Sequence, residues 1–265
     1  MQSLAALSVG SEIPSNQFQG VVTGIYDHAC NVKLDDGAVI TCAIQDYFRM
    51  QRGIIVRAPE NFSFRVHLRG TQTAHCRGGI LRFTNGDIKI DIRNAEIWLP
   101  KFEPIAPPTE SLINRLWRQA VADISLGFEF PSFQFRDPAA LVLNLVGRGP
   151  GLTPAGDDVL CGLLAALMLP IPSNRLLVSR IVESLPYTNE ISGQMLRDAA
   201  NGKFIEPIVN LMSALYGTDD IDRAVPALKS VGSSSGSAML VGILAGIASV
   251  EGFALDSNIN QIKVA

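Results

Sequence analysis

Gly147-Arg148-Gly149-Pro150-Gly151-Leu152-Thr153-Pro154-Ala155-Gly156-Asp157-Asp158 runs without a break into Val159-Leu160-Cys161-Gly162-Leu163-Leu164-Ala165-Ala166-Leu167. A loop dense in glycine and proline thus opens a helix with no polar face, which belongs inside a packed helical unit. Glycine allows positive φ and close approach of other groups. A helix start adds unpaired N–H groups and a partial positive charge, so the loop is suited to an anion. The two carboxylates at its end are the unusual part. A phosphate-cradling P-loop needs Lys and Ser/Thr after its last glycine, where this chain has Asp157 and Asp158. A dinucleotide fingerprint needs a third glycine where Leu152 stands, and it follows a strand. Here the preceding Asp137 to Val146 reads as a helix, with Asp137 as cap and Pro138 in the first turn.

A related segment lies 80 residues on: Gly232-Ser233-Ser234-Ser235-Gly236-Ser237-Ala238-Met239-Leu240-Val241-Gly242. Gly156, Leu160, Gly162, Leu164 and Ala165 recur as Gly236, Leu240, Gly242, Leu244 and Ala245, and Thr153 is matched by Ser233. The spacing predicts two helices side by side, touching at Gly162 and Gly242, with their N-termini at one pocket. Further helices are expected near 113–124, 174–185, 189–201, 205–216 and 219–229.

Before Pro100 the pattern changes. Asp36-Gly37 and Asn85-Gly86 are hairpin turns, joining Ala29–Leu34 to Ala38–Ala43 and Ile80–Phe83 to Ile88–Ile92. Phe64, Val66 and Leu68 alternate with Arg65, His67 and Arg69, which reads as a strand with a basic face for an acidic ligand or partner, or merely a solvated one. The expected class is therefore α+β. A β-rich N-terminal half, barrel-like or a sandwich, occupies 1–99. A proline-rich linker follows at 100–108, and an α-helical domain at 109–265 carries both glycine loops.

Composition narrows the function classes. A net charge of −3 gives no general attraction to nucleic acid or an acidic membrane. No apolar run reaches the ~20 residues of a membrane span, and Met1 to Leu7 lacks the basic start of a signal peptide. Cys30, Cys42, Cys76 and Cys161 form no C-x-x-C pair and no zinc spacing, so no metal site is assigned and a reducing cytoplasm is expected. Cys161 reads as a small core residue. His28, His67 and His75 all lie in the β-rich half, so no Ser-His-Asp set can be built around the loops.

The chemistry-bearing residues are then few. Asp157 and Asp158, as helix neighbours, diverge by roughly 100°. One can cap the helix while the other faces a ligand as base, cation ligand or acceptor for an N–H group. Either can be that one. Gly147, Arg148, Gly149, Gly151, Thr153 and Gly156 supply N–H groups, a positive charge and a hydroxyl; Gly232, Ser233, Ser234, Ser235 and Gly236 supply the same kinds of donor from the second loop. Thr188 and Ser192 would share a helix face, though a helix cap at Thr188 explains that spacing as well. No cofactor is required by this set. A divalent cation is compatible with it. The mixture suits a small anionic substrate with amide or carboxylate groups.

Together these residues resemble the AllH family, long catalogued as a domain of unknown function. Leu145 through Asp158 resembles its hallmark; Thr188-Asn189-Glu190-Ile191-Ser192 with Leu196, Ala199 and Gly202 is similar to its second motif; Gly232 to Gly236 is similar to its third, usually Gly-His-Thr-Ser-Gly. The resemblance implies a subunit of a bacterial oxamate carbamoyltransferase from anaerobic allantoin breakdown. That enzyme interconverts oxalurate plus phosphate with oxamate plus carbamoyl phosphate, and it works with companion subunits. A non-catalytic subunit that binds the small anion within such a complex is the alternative. Ser233 and Ser234 stand where the family has His and Thr, so any role of that histidine is lost or moved here. The chain also lacks the Ser-Thr-Arg-Thr phosphate loop of ordinary carbamoyltransferases.

Overall fold

The computed structural model describes residues 1–14, 17–124, 138–149, 153–168, 175–217 and 219–255. They form two compact units, Met1–Pro100 and Lys101–Ala265.

The first unit is a closed eight-stranded β-barrel. Its strands are β1 (Gln2–Gly10), β2 (Gln17–Ile25), β3 (Ala29–Leu34), β4 (Val39–Ile44), β5 (Gly53–Arg57), β6 (Thr73–Arg77), β7 (Ile80–Phe83) and β8 (Ile88–Asp91). They neighbour one another in the order β5-β4-β3-β2-β6-β7-β8-β1, and β1 returns to pair antiparallel with β5. Closure leaves no free edge within the ring. A short β9 (Glu96–Trp98) runs parallel to β1 and extends it. Alternate residues fill the interior, among them Leu4, Val32, Ile40, Ile54, Leu81, Ile88 and Ile90. Both expected hairpins form, with the left-handed backbone their turns demand at Gly37 (φ 85°) and Asn85 (φ 62°).

The expected strand at Phe64–Leu68 does not form. Phe64–His67 is one turn of helix, α1. Phe64 and Leu68 are fully buried, whereas Val66 between them is 68% exposed. The buried pair is therefore spaced four apart, the helical repeat, and the apparent alternation was carried by Val66 alone. Leu68 N–H donates to Phe64 C=O at 2.8 Å, closing the turn. His67 stacks on Phe62 and bonds Asp87 instead of lining a basic strand face.

The second unit contains α2 (Glu110–Asp123), α3 (Pro138–Leu145), α4 (Ala155–Met168), α5 (Arg175–Ser184), α6 (Glu190–Ala200), α7 (Glu206–Tyr216), α8 (Ile221–Lys229) and α9 (Ser235–Glu251). The helix expected before the first glycine loop is present as α3; its expected cap, Asp137, lies outside the described residues. Every residue of α4 from Ala155 to Leu167 is buried, and α9 is buried from Ala238 to Ala248. This explains why neither sequence has a polar face. Leu160, Leu163 and Leu164 are each essentially inaccessible, and burying such a side chain contributes roughly 1.5–3 kcal/mol.

The helices α4 and α9 run side by side in the same direction, in contact at their glycines. A Cβ at Gly162 would strike the Met239 carbonyl oxygen, and one at Gly242 would strike that of Val159. Because they are parallel, both N-termini reach the same end of the unit. Each start is held in the same way. Gly156 lies against the Leu145 carbonyl at the end of α3, and Gly236 against the Leu228 carbonyl near the end of α8. The offset repeat in the sequence is thus a repeat in structure: helix, glycine turn, buried helix.

Candidate functional site

A glycine-rich segment lies between the helices of each pair, α3 and α4, and α8 and α9. Gly147 (φ 68°) and Gly232 (φ 61°) adopt the left-handed region that only glycine enters freely. In the first loop, Gly156 N–H donates to Arg148 C=O at 2.9 Å. In the second, Gly236 N–H donates to Val231 C=O at 2.9 Å. With those turns closed, the Thr153 and Ser235 hydroxyls meet, Oγ1 to Oγ at 2.9 Å.

The two aspartates are both fully buried, but they are not alike. Asp157 turns back towards α3. Its Oδ1 accepts from Gly147 N–H at 2.8 Å, and its Oδ2 accepts from the Thr188 hydroxyl. Burial raises its pKa, and the Gly147 N–H, Thr188 and Ser192 oppose that rise. Asp157 therefore joins the first loop to the segment ahead of α6 and is not a cap on its own helix. Gly147 sits close enough to that segment that a Cβ there would clash with the Tyr187 carbonyl.

Asp158 turns the other way, toward Thr153 and Ser235. Burial pushes its carboxyl up to about 7; the Asp157 charge adds to the rise, and the Ser235 and Thr153 hydroxyls oppose it. Those hydroxyls lie near the carboxylate, yet neither Asp158 oxygen has a hydrogen bond of ordinary geometry. A buried carboxylate without partners is costly, on the order of a few kcal/mol or more. Such a group is a site for a donor that arrives from outside the chain.

The other expected contacts fall around this pair. Gly149 (φ 101°) is half-buried and Arg148 is exposed. Gly151 lies outside the described residues. Thr153 and Ser235 are half-buried. Gly232, Ser233 and Ser234 are exposed at the rim. Ser192 is fully buried, its hydroxyl near Asp157 but in no hydrogen bond of ordinary geometry. The helix cap expected at Thr188 is instead Asn189, whose side chain accepts from Ser192 N–H at 3.0 Å. Thr188 is thereby left to bind Asp157. Reading the sequence missed Tyr187, which is 72% exposed beside Gly147. An aromatic in a short 3-10 turn, Leu185–Tyr187, has no periodicity to flag it.

Cys161 is buried in α4: burial, then the nearby Asp158 and Asp198 charges, push its thiol far up, which favours the protonated form. Among the described residues no three His, Cys, Asp or Glu side chains are grouped to hold a metal ion, and no helix is long and apolar enough to cross a membrane. A shallow groove of about 520 Å³ lies on the barrel wall, with Gln19, Asp35, His75 and Arg77 in its lining. None of the unpartnered buried polar atoms found among the described residues lies in its wall.

The arrangement can do three things. It offers N–H groups and hydroxyls at two helix starts, presents one carboxylate without a hydrogen bond of ordinary geometry between them, and ties the first loop to the segment ahead of α6 with a second, fully bonded carboxylate. No solved structure matches the chain. Residues 145–247 match the model of the family described as oxamate carbamoyltransferase subunit AllH. That span contains all three motifs that meet at the aspartates. Over that span, in the helical unit, the chain is similar to the AllH family, as its glycine motif implied.

Proposed function

We propose that this chain is a subunit of a carbamoyltransferase that acts on small anionic amides, oxamate and oxalurate, with carbamoyl phosphate or phosphate as the second reactant. In this reading the anion lies between the two glycine loops. The backbone N–H groups of Gly149, Gly232, Ser233 and Ser234, the exposed Arg148 and the hydroxyls of the rim serines Ser233 and Ser234 hold it. Asp157 positions the first loop. Asp158, whose carboxyl changes charge near neutral pH, is the group able to exchange a proton during transfer. The observation that carries the reading is the convergence of three separated motifs on a pair of adjacent buried carboxylates, Asp157 fully bonded and Asp158 without a hydrogen bond of ordinary geometry. The family description, a subunit, supports a complex with companion chains.

The three histidines lie outside the helical unit. That observation favours a second reading, in which the chain binds the anion and a companion subunit supplies the remaining catalytic groups. A carbamoyl-transfer assay separates the two. The chain alone is expected to form little oxalurate from oxamate and carbamoyl phosphate, and the complex with its companions to turn over. Asp158→Asn within the complex is expected to lower kcat by at least roughly tenfold, about 1.4 kcal/mol of barrier. Full-rate turnover by the single chain contradicts the need for companions. An unchanged kcat in the variant complex removes the catalytic role and leaves the binding subunit.

A further inference from the structure

We propose that the outer wall of the barrel over β6, β7 and β8 is a docking face for an acidic helix on a companion protein chain. The proposal goes beyond the ligand site of the helical unit and stands or falls apart from it. On this wall Lys89 of β8 lies directly opposite Arg82 of β7, and Arg82 lies directly opposite His75 of β6. Gln19 of β2 continues the row on one side and Ser3 of β1 on the other. The residues that alternate with the three, among them Cys76, Leu81, Ile88 and Ile90, are buried, so the row faces out of the barrel. Arg77, on the same face of β6, is exposed beside it.

Like charges directly opposite across two strands destabilise a sheet. Among the described residues Lys89, Arg82 and His75 enter no ion pair and no side-chain hydrogen bond that would offset this. Asp91, two residues on from Lys89, has both oxygens taken by Arg93, and Asp35 accepts from Gln19. The row therefore presents N–H donors and positive charge, and its complement is a row of carboxylates. Its spacing says what carries them. Opposed residues on antiparallel strands are about 4.5–5.5 Å apart at Cα. Carboxylates at i, i+3 and i+4 of a helix are about 5–6 Å apart at Cβ, so one helix laid across the strands meets Lys89, Arg82 and His75 in turn. No described helix of this chain carries carboxylates at three successive positions of that spacing, so a second copy does not provide it. A companion chain is what the family description, a subunit, calls for. The net charge of −3 argues against nucleic acid as the occupant.

The test titrates the full chain at low salt with a stapled alanine peptide of about 20 residues that carries glutamate at i, i+4 and i+7. Binding is expected, and it is expected to vanish as salt approaches about 1 M, where the screening length is about 3 Å. Arg82→Glu combined with Lys89→Glu is expected to weaken it at least roughly tenfold, and to bind instead the same peptide with lysine for glutamate. A thermal melt checks the folding of that variant. Arg82→Gln combined with Lys89→Gln removes the like-charge opposition, so it is expected to melt no lower than the unaltered chain and still to lose the peptide. Equal binding of a peptide whose glutamates are spread round the helix overturns the helical partner. Tighter binding of a single-stranded oligonucleotide than of the peptide makes the wall a nucleic-acid face and overturns the protein partner. Absence of binding by the unaltered chain, or full binding by either folded variant, overturns the docking face itself.

Discussion

Thr153 and Ser235 are 82 residues apart in the chain, and their hydroxyls are 2.9 Å apart in the fold. The contact joins two glycine loops, each ahead of a buried helix. It follows from the parallel packing of α4 on α9, since helices that touch at Gly162 and Gly242 and run the same way must also bring their starts together. Asp158 lies behind this pair of hydroxyls, and Asp157 is tied to the opposite side. One packing arrangement therefore produces a divided pair of carboxylates, one structural and one unsatisfied.

The structural member is testable by comparing two substitutions. Asp157→Ala removes acceptors for Gly147 N–H and the Thr188 hydroxyl in a buried place. It is expected to destabilise the chain by roughly 2–4 kcal/mol. Asp157→Asn keeps one carbonyl acceptor for Gly147, and its amide can donate to the Thr188 oxygen, so less than half of that loss is expected. Urea unfolding of both variants measures the difference. Equal losses would mean that the charge of Asp157, and not its hydrogen bonds, holds the loop.

Asp158 is expected to destabilise the fold at neutral and alkaline pH. Its ordinary pKa is 3.8, and burial raises it to about 7 in the folded chain. Below the lower value the carboxyl is neutral in both states. Between the two the folded state binds the extra proton, so stability falls as pH rises through about 7. The pKa of Asp157 is shifted in the same direction and adds to the trend. Asp158→Asn is thus expected to melt higher than the unaltered chain at about pH 8.5, with a much smaller advantage at about pH 5, each pKa unit being worth about 1.4 kcal/mol. Melting curves at the two pH values decide it. A variant less stable at the higher pH would show that the carboxylate has a stabilising partner.

The packing that brings the loops together is also open to test. Gly162→Ala and Gly242→Ala each place a methyl group into a carbonyl oxygen of the facing helix. Each is expected to cost several kcal/mol or prevent folding, at the upper end of overpacking penalties of roughly 1–3 kcal/mol, because backbone must move. Gly193→Ala is the contrast. Its nearest neighbour would be 3.7 Å away, at the Leu185 carbonyl, and it sits within α6. It is expected to be neutral or stabilising by up to about 1 kcal/mol. Chemical denaturation of the three variants orders them, and tolerance of alanine at Gly162 would contradict the close parallel contact.

Much of this was legible in the sequence because it is carried by local signals. The hairpin turns at Gly37 and Asn85 require left-handed backbone, and the residues written there announce it. The α4 and α9 helices were visible as apolar runs with small residues at matching places. The Phe64–His67 helix was not, because a single turn offers only one repeat of the helical period and Val66 imitates a strand. Closure of the barrel is a long-range pairing of β1 with β5 that no local pattern encodes. The division of labour between Asp157 and Asp158 was equally hidden. It depends on partners at Gly147 and Thr188 on one side and at Thr153 and Ser235 on the other, brought in by tertiary packing.

The claim that both glycine loops line one ligand site is tested most directly by titrating the 15N-labelled chain with oxamate and following its backbone amides. The amides of Gly147, Gly149 and Thr153 are expected to shift together with those of Gly232, Ser235 and Gly236, along a single binding curve. Shifts confined to one loop, shifts found only in the barrel unit, or no shift at either loop would contradict the account.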